Sequence, residues 1–115
     1  LSADEARRAL AERAEEKREL AGALVQAGLI VGPPDFDLPL ADALAGAVHA
    51  FVGRAPSMLA IAQVDDLAGE TIATNLPGTD RERPNWRHRL SLGVEALLSS
   101  GRARAIIDAL AVERR

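Results

Sequence analysis

The residues with the most chemical potential lie in one short stretch, TNLPGTDRERPNWRHRL, from Thr74 to Leu90. Pro77 and Gly78 predict a tight turn, because proline fixes its own φ and glycine permits a positive φ. Asn75 and Thr79 flank this turn with an amide and a hydroxyl, which both donate and accept hydrogen bonds. Such groups suit a neutral polyhydroxyl ligand such as a sugar, although they are not unique to sugars.

The second half of the stretch contains Asn85, Trp86 and Arg87. The flat apolar face of Trp86 suits a pyranose ring, but tryptophan also anchors cores and arginine also pairs with carboxylates. Buried aromatic residues pack more often than they bind ligands, so we interpret these three residues as structuring the loop. Asn75 is the stronger candidate for ligand binding, with capping of the turn as the open alternative.

Composition limits the classes of function. The chain has 115 residues, a formal net charge of -3, no cysteine and two histidines. These values predict one cytoplasmic domain without disulfides or a metal site, and they disfavour bulk binding to nucleic acid. The sequence has no apolar run of about 20 residues and no leader peptide, so we expect no membrane association. The first residue is leucine rather than methionine, which suggests a piece of a longer protein.

The first positioning element is a helix predicted over 2–28. Ser2 and Glu5 match a capping box at its start, and Gly28 predicts its end. Apolar residues recur at helical spacing among charged ones, which predicts a packing helix with a solvated face. The apolar positions are Leu10, Ala14, Ala21, Leu24 and Val25.

A proline-rich connector precedes a second amphipathic helix, predicted over 39–53. Its apolar face comprises Leu40, Leu44, Val48 and Phe51. His49 lies between these positions, and no second histidine lies four residues away to complete a metal pair. We therefore expect His49 to be partly exposed or hydrogen-bonded, without a chemical role.

If residues 57–64 are extended, apolar side chains lie on both faces of the chain. This pattern is typical of a strand buried on both faces of a parallel sheet. Such a strand needs backbone partners on both edges, and no other segment reads strongly as a strand. We expect the partners to come from the remainder of a parent protein or from another copy of the chain. A helical turn at Asp65–Gly69, an active-site loop over 70–89 and C-terminal helices over 91–113 complete the prediction.

The motif carries a family resemblance. The sequence NLPGTDRERPNWRHRL, preceded by AIAQVDDLAGE, resembles the C-terminal segment of the 4-alpha-glucanotransferases, also called amylomaltases or disproportionating enzymes. The similarity extends over nearly all of 1–115, although the last 25 residues match only as generic helices. The matching positions are Asp66, Leu67, Asn75, Pro77, Gly78, Thr79, Asn85, Trp86, Arg87 and Leu90.

The resemblance implies the C-terminal portion of a (β/α)8 barrel enzyme that transfers α-1,4-glucan segments to glucose or another glucan without a cofactor. The expected fold is therefore mainly α-helical with one buried barrel strand. Family members use an aspartate nucleophile, a glutamate acid/base and a second aspartate that follows a histidine. No His-Asp pair occurs here, so Asp65, Asp66 and Glu70 are not assigned as catalysts, and the isolated chain is expected to be inactive.

The resemblance places substrate binding at Asn75, Pro77, Gly78 and Thr79, with maltodextrin as the ligand. The alternative is a small helical module that binds single-stranded nucleic acid through the basic cluster Arg81–Arg89 and through stacking on Trp86. The negative net charge, the acidic residues among the arginines and the single aromatic residue rank this alternative second.

Overall fold

The computed structural model describes residues 2–36, 40–71 and 89–115, and within these ranges it contains five α-helices. The helices are α1 (Ala3–Gln26), α2 (Asp42–Gly53), α3 (Val64–Ala68), α4 (Val94–Ser99) and α5 (Gly101–Glu113). None of the described helices combines the length and apolar character needed to cross a membrane.

Helix α1 begins at the predicted capping box. The backbone N–H of Ser2 donates to Glu5 Oε2 at 2.6 Å, and the backbone N–H of Glu5 donates to Ser2 Oγ at 3.2 Å. Gly28 follows the helix with a φ of 73°, where glycine is favoured because it lacks a Cβ. Only Leu24 is buried in this helix, and Leu10 is exposed, so α1 packs through its C-terminal part alone.

Helices α2 and α5 pack side by side and run parallel. At their N-terminal ends, Asp42 Oδ1 lies 3.5 Å from Arg102 Nε. Near their C-terminal ends, Arg54 Nε lies 3.0 Å from Glu113 Oε2. Because both ion pairs join residues at matching ends, the two helices share one direction.

Small residues on α2 allow this close approach. A Cβ atom added at Gly46 would lie 3.1 Å from the carbonyl oxygen of Ala105, and one at Gly53 would lie 3.1 Å from Glu113 Cβ. The core beside this interface contains residues from α2, α3, α4 and α5. Its buried members are Ala45, Leu67, Leu97, Ala103 and Ile106.

The prediction of a buried strand over 57–64 is wrong. Residues 57–63 form neither helix nor strand, and α3 begins at Val64. Met58 is 95% exposed, Leu59 73% and Ile61 77%. A strand needs hydrogen-bonding partners along its edges, and the described residues include no strand that could supply them. The described chain is therefore α-helical, in place of the expected mainly α-helical fragment with one buried strand of a (β/α)8 barrel.

The apolar segment, residues 55–63, is hydrogen-bonded at its start to Arg114 at the end of α5. Arg114 Nη1 donates to the carbonyl oxygen of Ser57 at 2.7 Å, and Arg114 Nη2 donates to that of Ala55 at 3.2 Å. These bonds place residues 55–57 on the main body. The apolar side chains that follow still face outward.

The helix predicted over 39–53 begins at Asp42, and residues 37–39 lie outside the described ranges. The C-terminal helices predicted over 91–113 form as α4 and α5, with a break at Ser100. Ser100 is the N-cap of α5, since its hydroxyl accepts from the backbone N–H of Ala103 at 3.2 Å.

Candidate functional site

The site residues predicted from the motif lie outside the described ranges. This holds for the turn residues Asn75, Pro77, Gly78 and Thr79, for the loop residues Asn85, Trp86 and Arg87, and for the basic cluster up to residue 88. What the structure does describe is the chain on either side of this segment. These flanks, at 70–71 and 89–92, define where the segment starts and returns.

The two flanks are joined by a hydrogen bond. The carboxylate of Glu70 accepts from the backbone N–H of Ser91. Leu90 and Leu92 pack against the core formed by α2, α3, α4 and α5, so the returning chain is fixed on the same body. The two described flanks therefore lie next to each other.

Helix α3 leads directly into the first flank. It ends in a Schellman motif, in which the N–H of Glu70 donates to the carbonyl of Asp65 at 2.9 Å and that of Gly69 to the carbonyl of Asp66 at 3.2 Å. Gly69 has a φ of 73°, and a Cβ there would lie 3.1 Å from Arg102 Nε. Glycine is thus favoured at this position for two reasons. Its φ is positive, and a Cβ atom would lie close to the guanidinium group of Arg102.

A cavity of about 550 Å³ opens between α2, α3 and α5 and reaches this flank. Its volume falls within the range of about 300–1,000 Å³ typical of small-molecule sites. Its lining is mainly apolar and includes four charged or titratable side chains, those of His49, Asp66, Glu70 and Arg102. The lining residues are Leu40, Ala45, Val48, His49, Asp66, Gly69, Glu70, Thr71, Arg102 and Ile106.

The side chain of His49 is only 16% exposed, so its ring is largely enclosed in this lining. Its Nδ1 lies 2.8 Å from the carbonyl oxygen of Ala45, one turn earlier in α2. Its Nε2 lies 3.8 Å from Asp66 Oδ2 in α3. His49 is thus hydrogen-bonded within its helix, as predicted, and it also faces a carboxylate of the next element.

Arg102 closes the cavity from α5. Its Nη2 donates to the carbonyl oxygen of Leu40, and its Nε approaches Asp42 at 3.5 Å. Only 20% of its side chain is exposed, so the cation is held by a carbonyl and a carboxylate rather than by bulk water. Arg102 therefore fixes the start of α2 to the start of α5.

The polar residues of the cavity lining combine hydrogen-bond acceptors with a titratable ring. Within the described ranges, no group of three or more His, Cys, Asp or Glu residues could hold a metal ion. Sequence reasoning assigned His49 and Asp66 no chemical role. Their sequence separation carries no helical periodicity that would reveal the contact, so only the packing of α3 on α2 brings them together.

Comparison with known proteins identifies a family. A sequence model of the 4-alpha-glucanotransferase family matches residues 5–95, whereas searches of curated proteins and of solved structures gave no significant match. The matched range includes α1 from Glu5 onward, α2, α3, the flanks of the segment 72–88 and the motif within it. Since it covers most of the 115 residues, the chain belongs to the 4-alpha-glucanotransferase family.

Proposed function

We propose that the chain is the C-terminal segment of a 4-alpha-glucanotransferase that transfers α-1,4-glucan segments to glucose or to another glucan. In this proposal the loop over 70–89 borders the substrate cleft and binds the glucan through Asn75, Pro77, Gly78 and Thr79. Asn85, Trp86 and Arg87 hold the loop in shape.

The observation that carries the proposal is the family match over residues 5–95, because this range contains the entire Asn-x-Pro-Gly-Thr and Asn-Trp-Arg motif. The geometry of the flanks supports a role for the intervening segment. Glu70 joins the two flanks through Ser91, so the segment is presented from a fixed base. A fixed base reduces the conformational entropy that ligand binding would otherwise cost.

The proposed reaction retains the configuration at the anomeric carbon through a covalent glycosyl-enzyme. A carboxylate nucleophile displaces the leaving glucan while a carboxylic acid protonates the departing oxygen. The hydroxyl of an acceptor glucan then displaces the enzyme carboxylate, and the same acid/base residue takes up the proton of that hydroxyl. We assign none of these carboxyl groups to this chain, in which Glu70 is engaged with a backbone N–H and Asp66 faces His49.

The test is an assay of glucan transfer with maltotriose as donor. The protein tested, called the joined polypeptide, contains this chain together with the part of a family enzyme that carries the catalytic carboxylates. It is expected to release glucose and to form longer maltodextrins. The matched control is cellotriose, which has the same composition but β-1,4 linkages and should remain unchanged. The 115-residue chain alone should give no glucose above a control without protein.

Two results would contradict the proposal. The first is a joined polypeptide that folds but leaves maltotriose unchanged. The second is glucose release by the 115-residue chain alone that a substitution within the chain abolishes, because the chain would then supply catalytic groups of its own.

A further inference from the structure

We propose that His49 is a positioning residue, which in its protonated form hydrogen-bonds to Asp66 and links helix α3 to helix α2. Helix α3 leads into the first flank of the segment that carries the motif. The inference deepens the proposed function and rests on it for its consequence, which is control of the loop base by proton uptake. The contact itself is argued from the described side chains.

The tautomer of His49 follows from its hydrogen bond. A carbonyl oxygen accepts but cannot donate, so the contact of 2.8 Å with Ala45 requires the proton on Nδ1. The neutral ring therefore presents an unprotonated Nε2 to Asp66. Both Nε2 and the carboxylate of Asp66 are then acceptors, and two acceptors form no hydrogen bond with each other.

Proton uptake reverses this relation. The added proton is placed on Nε2, and the imidazolium can donate to Asp66 Oδ2 while it still donates to Ala45 through Nδ1. The separation of 3.8 Å exceeds the distance of about 2.7–2.9 Å for a charge-assisted hydrogen bond. Formation of the bond therefore shortens the separation between Nε2 and Oδ2 by about 1 Å, through rotation of the half-exposed Asp66 side chain, a shift of α3, or both.

The other charged groups around the cavity are already engaged. Glu70 accepts from the backbone of Ser91, and Arg102 binds the carbonyl of Leu40 and the carboxylate of Asp42. Asp66, which also lines the cavity, presents a carboxylate oxygen 3.8 Å from Nε2 of His49. Proton uptake by His49 is thus expected to act on α3 rather than on α2 or α5.

Helix α3 is short enough to respond to a single contact. It has five residues, and a helix of this length is held by tertiary contacts rather than by its own hydrogen bonds. Leu67 is its buried anchor, next to Asp66 in sequence. Because the carbonyl of Asp66 accepts from the N–H of Gly69, a change at Asp66 is expected to reach the backbone of Gly69 and Glu70.

The test is nuclear magnetic resonance of the 15N-labelled 115-residue chain, titrated from about pH 8 to about pH 5, where histidine takes up a proton. We expect pH-dependent shifts of the backbone amides of Leu67, Gly69 and Ser91, with the same midpoint as the His49 ring. A His88→Gln variant, which removes the other histidine, should keep these shifts. His49→Leu and Asp66→Asn should both lose them.

Asp66→Asn keeps the experiment decisive if His49→Leu fails to fold, because the Asp66 side chain is half exposed and the amide is nearly isosteric. Amide shifts that persist in Asp66→Asn would overturn the proposal, as would an Nε2-bound proton on the neutral His49 ring. The measurement involves no glucan, so its failure leaves the proposed function standing. A failed transfer assay would likewise leave these shifts in place.

Discussion

Helix α2 and the segment 55–63 are both strongly apolar, yet they differ in how far their side chains are buried. Half of the twelve residues of α2 are buried, and its small residues lie against α5. The apolar side chains of the segment, Met58, Leu59 and Ile61, are exposed. An apolar pattern in the sequence thus indicates which side chains would be stabilised by burial. Whether a surface is available to bury them depends on the rest of the fold.

The two regions also need different partners. A helix satisfies most of its backbone hydrogen bonds internally and needs only a complementary surface. A strand needs a neighbouring strand for its backbone as well as a cover for its side chains. Helix α2 finds its surface in α5, but the described residues offer the segment no neighbouring strand.

The largest expected effect compares two isoleucines. Ile106 is fully buried, and Ile61 is exposed. Ile106→Ala should lower the free energy of unfolding by about 2–5 kcal/mol, because it removes buried methylene groups and leaves a cavity. Ile61→Ala should change it by no more than about 0.5 kcal/mol. Urea denaturation of both variants checks the difference, and an equal loss for Ile61→Ala would mean that the segment is covered in solution.

The next effect concerns the packing of α2 on α5. Gly46→Val should lower the free energy of unfolding by about 1–3 kcal/mol, since the added atoms would press on the backbone at Ala105. Gly22→Val is the matched control, because a Cβ at Gly22 of α1 meets nothing within 4 Å. The same denaturation measurement applies. Equal stability of the two variants would contradict the close parallel pair.

A smaller effect is expected where the exposed segment is attached to α5. Arg114→Ala removes the hydrogen bonds to Ala55 and Ser57, so the free energy of unfolding should fall by about 0.5–1.5 kcal/mol. Hydrogen exchange of amides at 57–61 should become faster. Arg115→Ala, the neighbouring exposed arginine, serves as the control. Unchanged exchange in Arg114→Ala would show that other contacts hold the segment.

The smallest effect is expected at the free end of α1. Ser2→Ala removes the N-cap hydroxyl, so the first turn should fray. Because α1 is buried only at Leu24, the loss of global stability should stay within about 0.5 kcal/mol. Far-ultraviolet circular dichroism measures the lost helix. A large drop in the urea midpoint would show that the first turn contacts the main body.

The same capping box gives a prediction for pH. The backbone N–H of Ser2 and its hydroxyl hydrogen-bond with Glu5 and hold the pKa of that carboxyl below its ordinary value of 4.5. A depressed pKa means that the contribution to helix stability is present above pH 4.5 and is lost as the pH falls through the lowered value. The first turn should therefore fray in acid. Ser2→Ala should raise the pKa of Glu5, as measured by its side-chain carboxyl resonance.

Local signals allowed much of the helical structure to be predicted. The Ser2 capping box, Gly28 and the helical turn at Asp65–Gly69 are read from neighbouring residues, and the structure contains all three. The strand over 57–64 was not predicted correctly, because a strand depends on partners distant in sequence. The parallel direction of α2 and α5 also arises from distant contacts, such as that of Asp42 with Arg102.

The candidate site was also predicted only in part from the sequence. The motif around Asn75 predicted the family, which the match over residues 5–95 confirms. The contact between His49 and Asp66 joins two helices whose sequences give no sign of it. The roles of Asn75 and of Trp86 stay predictions, since both residues lie outside the described ranges.

The most direct test of the proposed function is transfer from maltotriose to glucose by the joined polypeptide and its Asn75→Ala variant, with Trp86→Ala as the contrasting substitution. Loss of one neutral hydrogen bond, about 0.5–1.5 kcal/mol, should lower transfer efficiency roughly threefold to tenfold for Asn75→Ala, at a nearly unchanged melting temperature. Trp86→Ala should lose activity and about 3–5 kcal/mol of stability together. Unchanged transfer by Asn75→Ala, or loss of its fold, would contradict a substrate-binding role for the turn.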